Sequence, residues 1–147
     1  MPIEVNRVLV PVDGSEDSRE AVDYALAVAD KYGAVLHVLY VFGEAVARGL
    51  ETGDIDEESI AQESKIFTEE VKTMAEPKVT VHSAMAFGFS PVRKTMHPGS
   101  VILDCADEID VDFLVIPRES TCEKEGDVLE RAAEYVLLYA SQPVLSV

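Results

Sequence analysis

The chain has 147 residues, 48% of them apolar, which is enough to fill one core without disulfides or a structural metal. Asp and Glu number 28 against 12 Lys plus Arg, a net charge of −16, and this argues against nucleic acid or an anionic membrane surface as a partner, because both are held by basic side chains. The longest apolar runs, such as Val35–Val41 and Val136–Ala140, are too short to span a bilayer, and no N-terminal stretch reads as a secretion signal, so a cytoplasmic location is expected. The acidic, lysine-poor composition suits a protein that stays hydrated in high salt, or an ordinary acidic protein kept soluble by its charge.

The hydrophobic period switches repeatedly between strand-like and helix-like along the chain. Arg7–Asp13 is a short valine-rich run, read as a buried strand and broken by Gly14-Ser15. Ser15 or Ser18 can cap the helix that follows, with Glu16 and Asp17 near its positive end. Val22, Ala25, Ala29 and Tyr32 recur there at helical spacing, and Gly33 stands at the stop position. Val35–Val41 is a second buried strand. Continuous apolar runs of this kind point to a sheet covered on both faces.

Residues 43–58 hold three glycines and six acids and are read as a loop. A helix near 57–75 places Ile60, Phe67, Val71 and Met74 on one face, and Val79–Ala86 is a third strand. Phe87–His97 is irregular. Pro98 suits the first turn of a helix running to about Ile109. Phe113–Ile116 is a fourth strand ended by Pro117, residues 118–126 are a polar loop, Asp127–Ala140 is a long helix and Val144–Val147 a short last strand. Strands alternating with helices imply a parallel sheet with right-handed crossovers. Ligands of such sheets sit beyond the carboxyl ends of the strands, where the strand order reverses. The segments after the first and fourth strands are therefore the places to look.

The opening RVLVPVDGSEDSREAVDYALAVADKYGAVLHVLYV resembles the universal stress protein family, as do PGSVILDCADEIDVDFLVIP and the ending ASQPVLSV. Residues 43–97 match only in overall pattern. The resemblance implies a single α/β domain over residues 1–147, a five-stranded parallel sheet of order 3-2-1-4-5 with helices on both faces. It also implies a homodimer through the C-terminal strand Val144–Val147. Many members bind ATP through G-x2-G-x9-G-[S/T] at the end of the fourth strand, whose glycines let backbone N–H groups approach the phosphates. Aligned without gaps from Val147 backward, those positions fall on Pro117, Ser120, Glu130 and Arg131, and none matches. A gap slides Gly126-Asp127 into the Gly-Ser position but does not recover the first two glycines. The adenine and ribose half is kept, because Pro11, Val12, Asp13 and Val41 match it. Three of them also have a purely structural reading, which is the favoured one: Val12 and Val41 as core, Asp13 as the brace of the Gly14–Ser18 turn.

Other chemistry is weakly represented. His37, His82 and His97 show no metal-ligand spacing, and the chain has no P-loop, no G-x-G-x-x-G and no G-x-S-x-G. Cys105 lies in an apolar helical pattern and is expected to be buried, while Cys122 lies in a polar loop. Arg93, Lys94 and His97 form a basic cluster read as a solvated loop, and Arg118 and Arg131 are expected to pair with Glu119 and Glu130. No catalytic residue, metal or resident cofactor is therefore expected. The reading is a non-enzymatic, dimeric, universal-stress-like protein acting through protein contacts. The alternative is a member that holds ATP, AMP or adenosine with altered phosphate recognition, and a slow ATP hydrolase ranks behind both.

Overall fold

A six-residue run with five buried positions can only lie at the centre of a sheet, and β1 (Arg7–Val12) does so. In the computed structural model, which describes residues 4–13, 16–42, 44–75, 78–87, 98–117 and 127–147, β1 is followed by α1 (Glu16–Tyr32), β2 (Val35–Phe42), α2 (Glu44–Thr52), α3 (Glu57–Ala75), β3 (Val81–Phe87), α4 (Pro98–Glu108), β4 (Phe113–Ile116), α5 (Asp127–Tyr139) and β5 (Val144–Ser146). The five strands form one parallel sheet of order β3-β2-β1-β4-β5, as expected.

Strand alternation divides the core between the two faces. Val8, Val10, Val12, Val38 and Tyr40 point to one face, against Ala21, Val22, Ala25 and Ala29 of α1 and Ile60, Phe67 and Val71 of α3. Leu9, Leu39, Val41, Leu114 and Ile116 point to the other, against Ile102 and Ala106 of α4 and Ala132, Ala133 and Val136 of α5. The alanines let the helices approach the sheet closely, so a valine-rich strand can be buried on both sides.

Several expectations change. Residues 43–58 are not one loop, because α2 spans Glu44–Thr52. Its Val46 and Leu50 pack on the core, and buried Gly49 lies against the Ile55 side chain, where a Cβ would overlap it. Glycines and acids weaken local helix propensity, and tertiary packing overrides it. Tyr32 and Met74, expected on core faces, are 46% and 55% exposed. Ser18 is the third residue of α1 and fully buried, so it does not cap the helix, and Ser15 lies outside the described residues. β3 begins at Val81 rather than Val79 and takes in Phe87. Cys105 is half-buried, and its thiol is pushed up by desolvation and then by Glu108.

Candidate functional site

β1 has β2 on one side and β4 on the other, and the chain crosses from β3 over to β4. The order therefore reverses at β1 and β4, and the crevice of a doubly wound sheet lies at their carboxyl ends. Asp13 follows β1 directly and is 6% exposed. Its carbonyl oxygen lies 3.3 Å from the Tyr40 hydroxyl, which also lies 3.5 Å from Glu63 Oε1. Tyr40 is itself fixed by Phe42, with ring centroids 4.8 Å apart, and by the edge of Phe67 at 5.9 Å. A tyrosine thus ties the end of β1 to β2 and α3. Sequence reasoning missed it; the signal was a hydroxyl-bearing aromatic in an otherwise apolar strand, which needs a polar partner when buried.

The expected site residues divide by face and by element. Pro11 pairs with Leu39 and Val12 with Tyr40 in the β1–β2 register. Val41 joins the α4/α5 side of the core and Val12 the α1/α3 side. Their side chains therefore do not share a pocket, and only the Val12 backbone can face a ligand on Val41's side. Carrying the Leu9–Leu114 pairing forward brings Pro117 level with Val12, and Pro117 is buried. The structure thus gathers Pro11, Val12, Asp13 and Pro117 at one sheet end, with Val41 one strand away.

The loop positions are placed differently. Ser120 lies outside the described residues, as do Arg93, Lys94, His97, Arg118, Glu119, Cys122 and Gly126. Glu130 and Arg131 belong to α5, which already runs from Asp127. A helix leaves only its first four N–H groups without intrahelical partners, so the amide of Arg131, the fifth residue of α5, is committed to the helix, whereas Glu130 is the fourth. The residue of this segment that opens the helix is Asp127.

Other chemistry lies elsewhere. His37 and His82 sit near the amino ends of β2 and β3 and are not placed to serve as a base at the crevice. Among the described residues, no group of three or more His, Cys, Asp or Glu could hold a metal ion, and no helix is long and apolar enough to cross a membrane. A groove of about 230 Å³ between α1 and α3, lined by Arg19, Val22, Asp23, Phe67, Glu70, Val71 and Met74, does not include Asp13, Val41 or Pro117.

The model of the Universal stress protein family matches residues 4–147. The chain is 28% identical over 145 residues to universal stress protein MJ0531 of Methanocaldococcus jannaschii, covering 96% of this chain and 81% of that one. Its fold is similar to that of universal stress protein UspA from Lactobacillus plantarum, with a TM-score of 0.71 at 21% identity over 99% of each chain. It is similar also to the universal stress protein from Archaeoglobus fulgidus in complex with dAMP, with a TM-score of 0.62 at 22% identity over 99% of this chain and 98% of that one. With a family match over nearly its whole length and the strand order to go with it, this chain belongs to the universal stress protein family.

Proposed function

We propose that this chain is a non-enzymatic, dimeric stress-response protein of the cytoplasm that works through protein contacts and does not grip ATP by a phosphate loop. The observation that carries this reading is Pro117, buried at the carboxyl end of β4. Proline has no N–H and cannot take a positive φ, so the position where a phosphate loop would start offers neither a donor nor the needed turn. The amide of Arg131, where the family's last hydroxyl-bearing position would fall, is spent inside α5. The residues present do not fit a triphosphate, and no hydrolytic step is derived.

Dimerisation is supported by the C-terminal region. β5 is an edge strand, and just before it the consecutive residues Leu137, Leu138 and Tyr139 are 51%, 69% and 66% exposed. An apolar patch beside an open strand edge suits a self-complementary, two-fold contact.

A second reading is favoured by Asp13. Its backbone is held by Tyr40 at the crevice, and a carboxylate there can accept hydrogen bonds from ribose hydroxyls. The Archaeoglobus fulgidus relative in complex with dAMP supports an adenine nucleotide as the class of ligand. Calorimetric titration with ATP, AMP and adenosine separates the readings. No low-micromolar ATP binding is expected, and its appearance would overturn the first reading. Binding of AMP or adenosine alone, lost in Asp13→Asn, would establish the second.

A further inference from the structure

Two histidines of this acidic chain stand next to each other on the sheet. Leu9 pairs with His37 and His37 with His82, so the two imidazoles project from adjacent strands on the face that carries α4 and α5. Their ring centroids are 5.4 Å apart and the planes are inclined by 32°. His82 is exposed and His37 half-buried. The Nε2 of His37 is buried without a hydrogen-bond partner. A buried imidazole nitrogen left in that state is costly, and it keeps a lone pair or a proton that nothing in the protein uses.

We propose that His37 and His82 form a two-ligand site for a borderline transition-metal ion of the Zn²⁺ class, with water completing the coordination.

The separation of the rings decides whether one ion can reach both. A Zn²⁺ ion about 2.0–2.1 Å from one nitrogen of each ring stands about 3.2 Å from each centroid. Centroids 5.4 Å apart then subtend roughly 115° at the metal, close to the tetrahedral angle, so the ring separation matches one shared ion. The electronic state is suitable too. Burial, then His82, then Arg7 hold His37 below the ordinary histidine value, which keeps the ring neutral at neutral pH, the form that binds metal. Arg7, on the same face, keeps its charge and opposes a cation; its Nη1 donates to the Ile109 carbonyl at 2.9 Å, which fixes one end of the guanidinium there. Imidazole selects Zn²⁺, Ni²⁺ or Cu²⁺ over Mg²⁺ and Ca²⁺, which prefer oxygen. Two protein ligands leave the remaining positions open, so the ion should be exchangeable rather than structural.

A net charge of −16 attracts any divalent ion, so the test must separate a site from an ion atmosphere. The full-length chain is titrated with ZnCl₂ at neutral pH, in excess MgCl₂ and moderate KCl, while the histidine ring C–H signals are followed by NMR. The His37 and His82 signals should move together and saturate near one equivalent. His82→Ala should weaken binding by about tenfold or more while circular dichroism shows the fold retained. His82→Asn, which keeps a polar side chain on the exposed edge strand, controls for packing and should weaken binding equally. Equal affinity in either variant, or zinc-induced shifts that leave both rings unmoved, would overturn the site.

Discussion

Asp13 shows how a single residue changes meaning with its surroundings. As sequence it is part of a strand-ending motif, where bracing the turn is the favoured role and ligand binding the second. In the fold it is a buried residue at the reversal of strand order, with its backbone tied to Tyr40 across two strands. His37 changes in the same way: a lone histidine in an apolar strand becomes one half of a pair. Its proton affinity is lowered first by burial, then by His82 and Arg7. Folding therefore favours the neutral ring. That preference has its full effect above the unfolded value near 6.5 and is lost as the pH falls from there through the lower folded value. Thermal melts with a chelator present should accordingly show a steeper loss of stability on acidification below about pH 6.5 in the wild type than in His37→Gln. Parallel curves would mean that the histidine contributes no linkage.

At the scale of elements, two helix ends show the same closure built from different residues. After α1, Ala34 N–H donates to Ala29 O at 2.8 Å and Gly33 N–H to Asp30 O at 3.4 Å. After α4, Val111 N–H donates to Ala106 O at 2.9 Å and Asp110 N–H to Asp107 O at 3.4 Å. Both are the left-handed C-terminal motif, with φ of 65° at Gly33 and 54° at Asp110. Glycine takes this conformation freely, whereas aspartate does so at a cost. Gly33→Ala should destabilise by about 1 kcal/mol in urea melts and Asp110→Gly should stabilise by about 0.5–1 kcal/mol. A Cβ at Gly33 meets nothing within 4 Å, so the loss would be conformational rather than steric. Gly33 was legible as a stop signal because glycine at that place is common. Asp110 was not, since an acidic residue after a helix has many ordinary meanings. α2 was missed for the converse reason: its local composition opposes a helix, and the packing of Val46 and Leu50 supplies what propensity lacks.

For the molecule as a whole, charge and exposed apolar surface make opposite demands. Like charges destabilise the compact state, and screening relieves them. The melting temperature should therefore rise as KCl is raised from low to molar concentration. A flat or falling curve would show that the −16 charge is already dispersed without strain, and would remove the support for a high-salt protein. The proposed dimer is tested at the same scale. Light scattering should give about twice the 16.0 kDa chain mass, and Leu138→Glu, at a side chain 69% exposed, should return it to the monomer. A dimer unchanged by that substitution would remove α5 from the contact.

The alternation of valine-rich runs with alanine-striped helices determined the parallel sheet and its two covered faces, because burial on both sides permits little else than a continuous apolar strand. Matched letters also located Pro11, Val12, Asp13, Val41 and Pro117. What the letters did not contain was which of these share a face. Val12 and Val41 point to opposite sides of the sheet because pleating alternates direction at every residue. Glu130 and Arg131 fall inside α5 because the helix already runs from Asp127. The Tyr40 tie to Asp13 and the His37–His82 pair join residues 27 and 45 positions apart, and strand register alone brings such residues together.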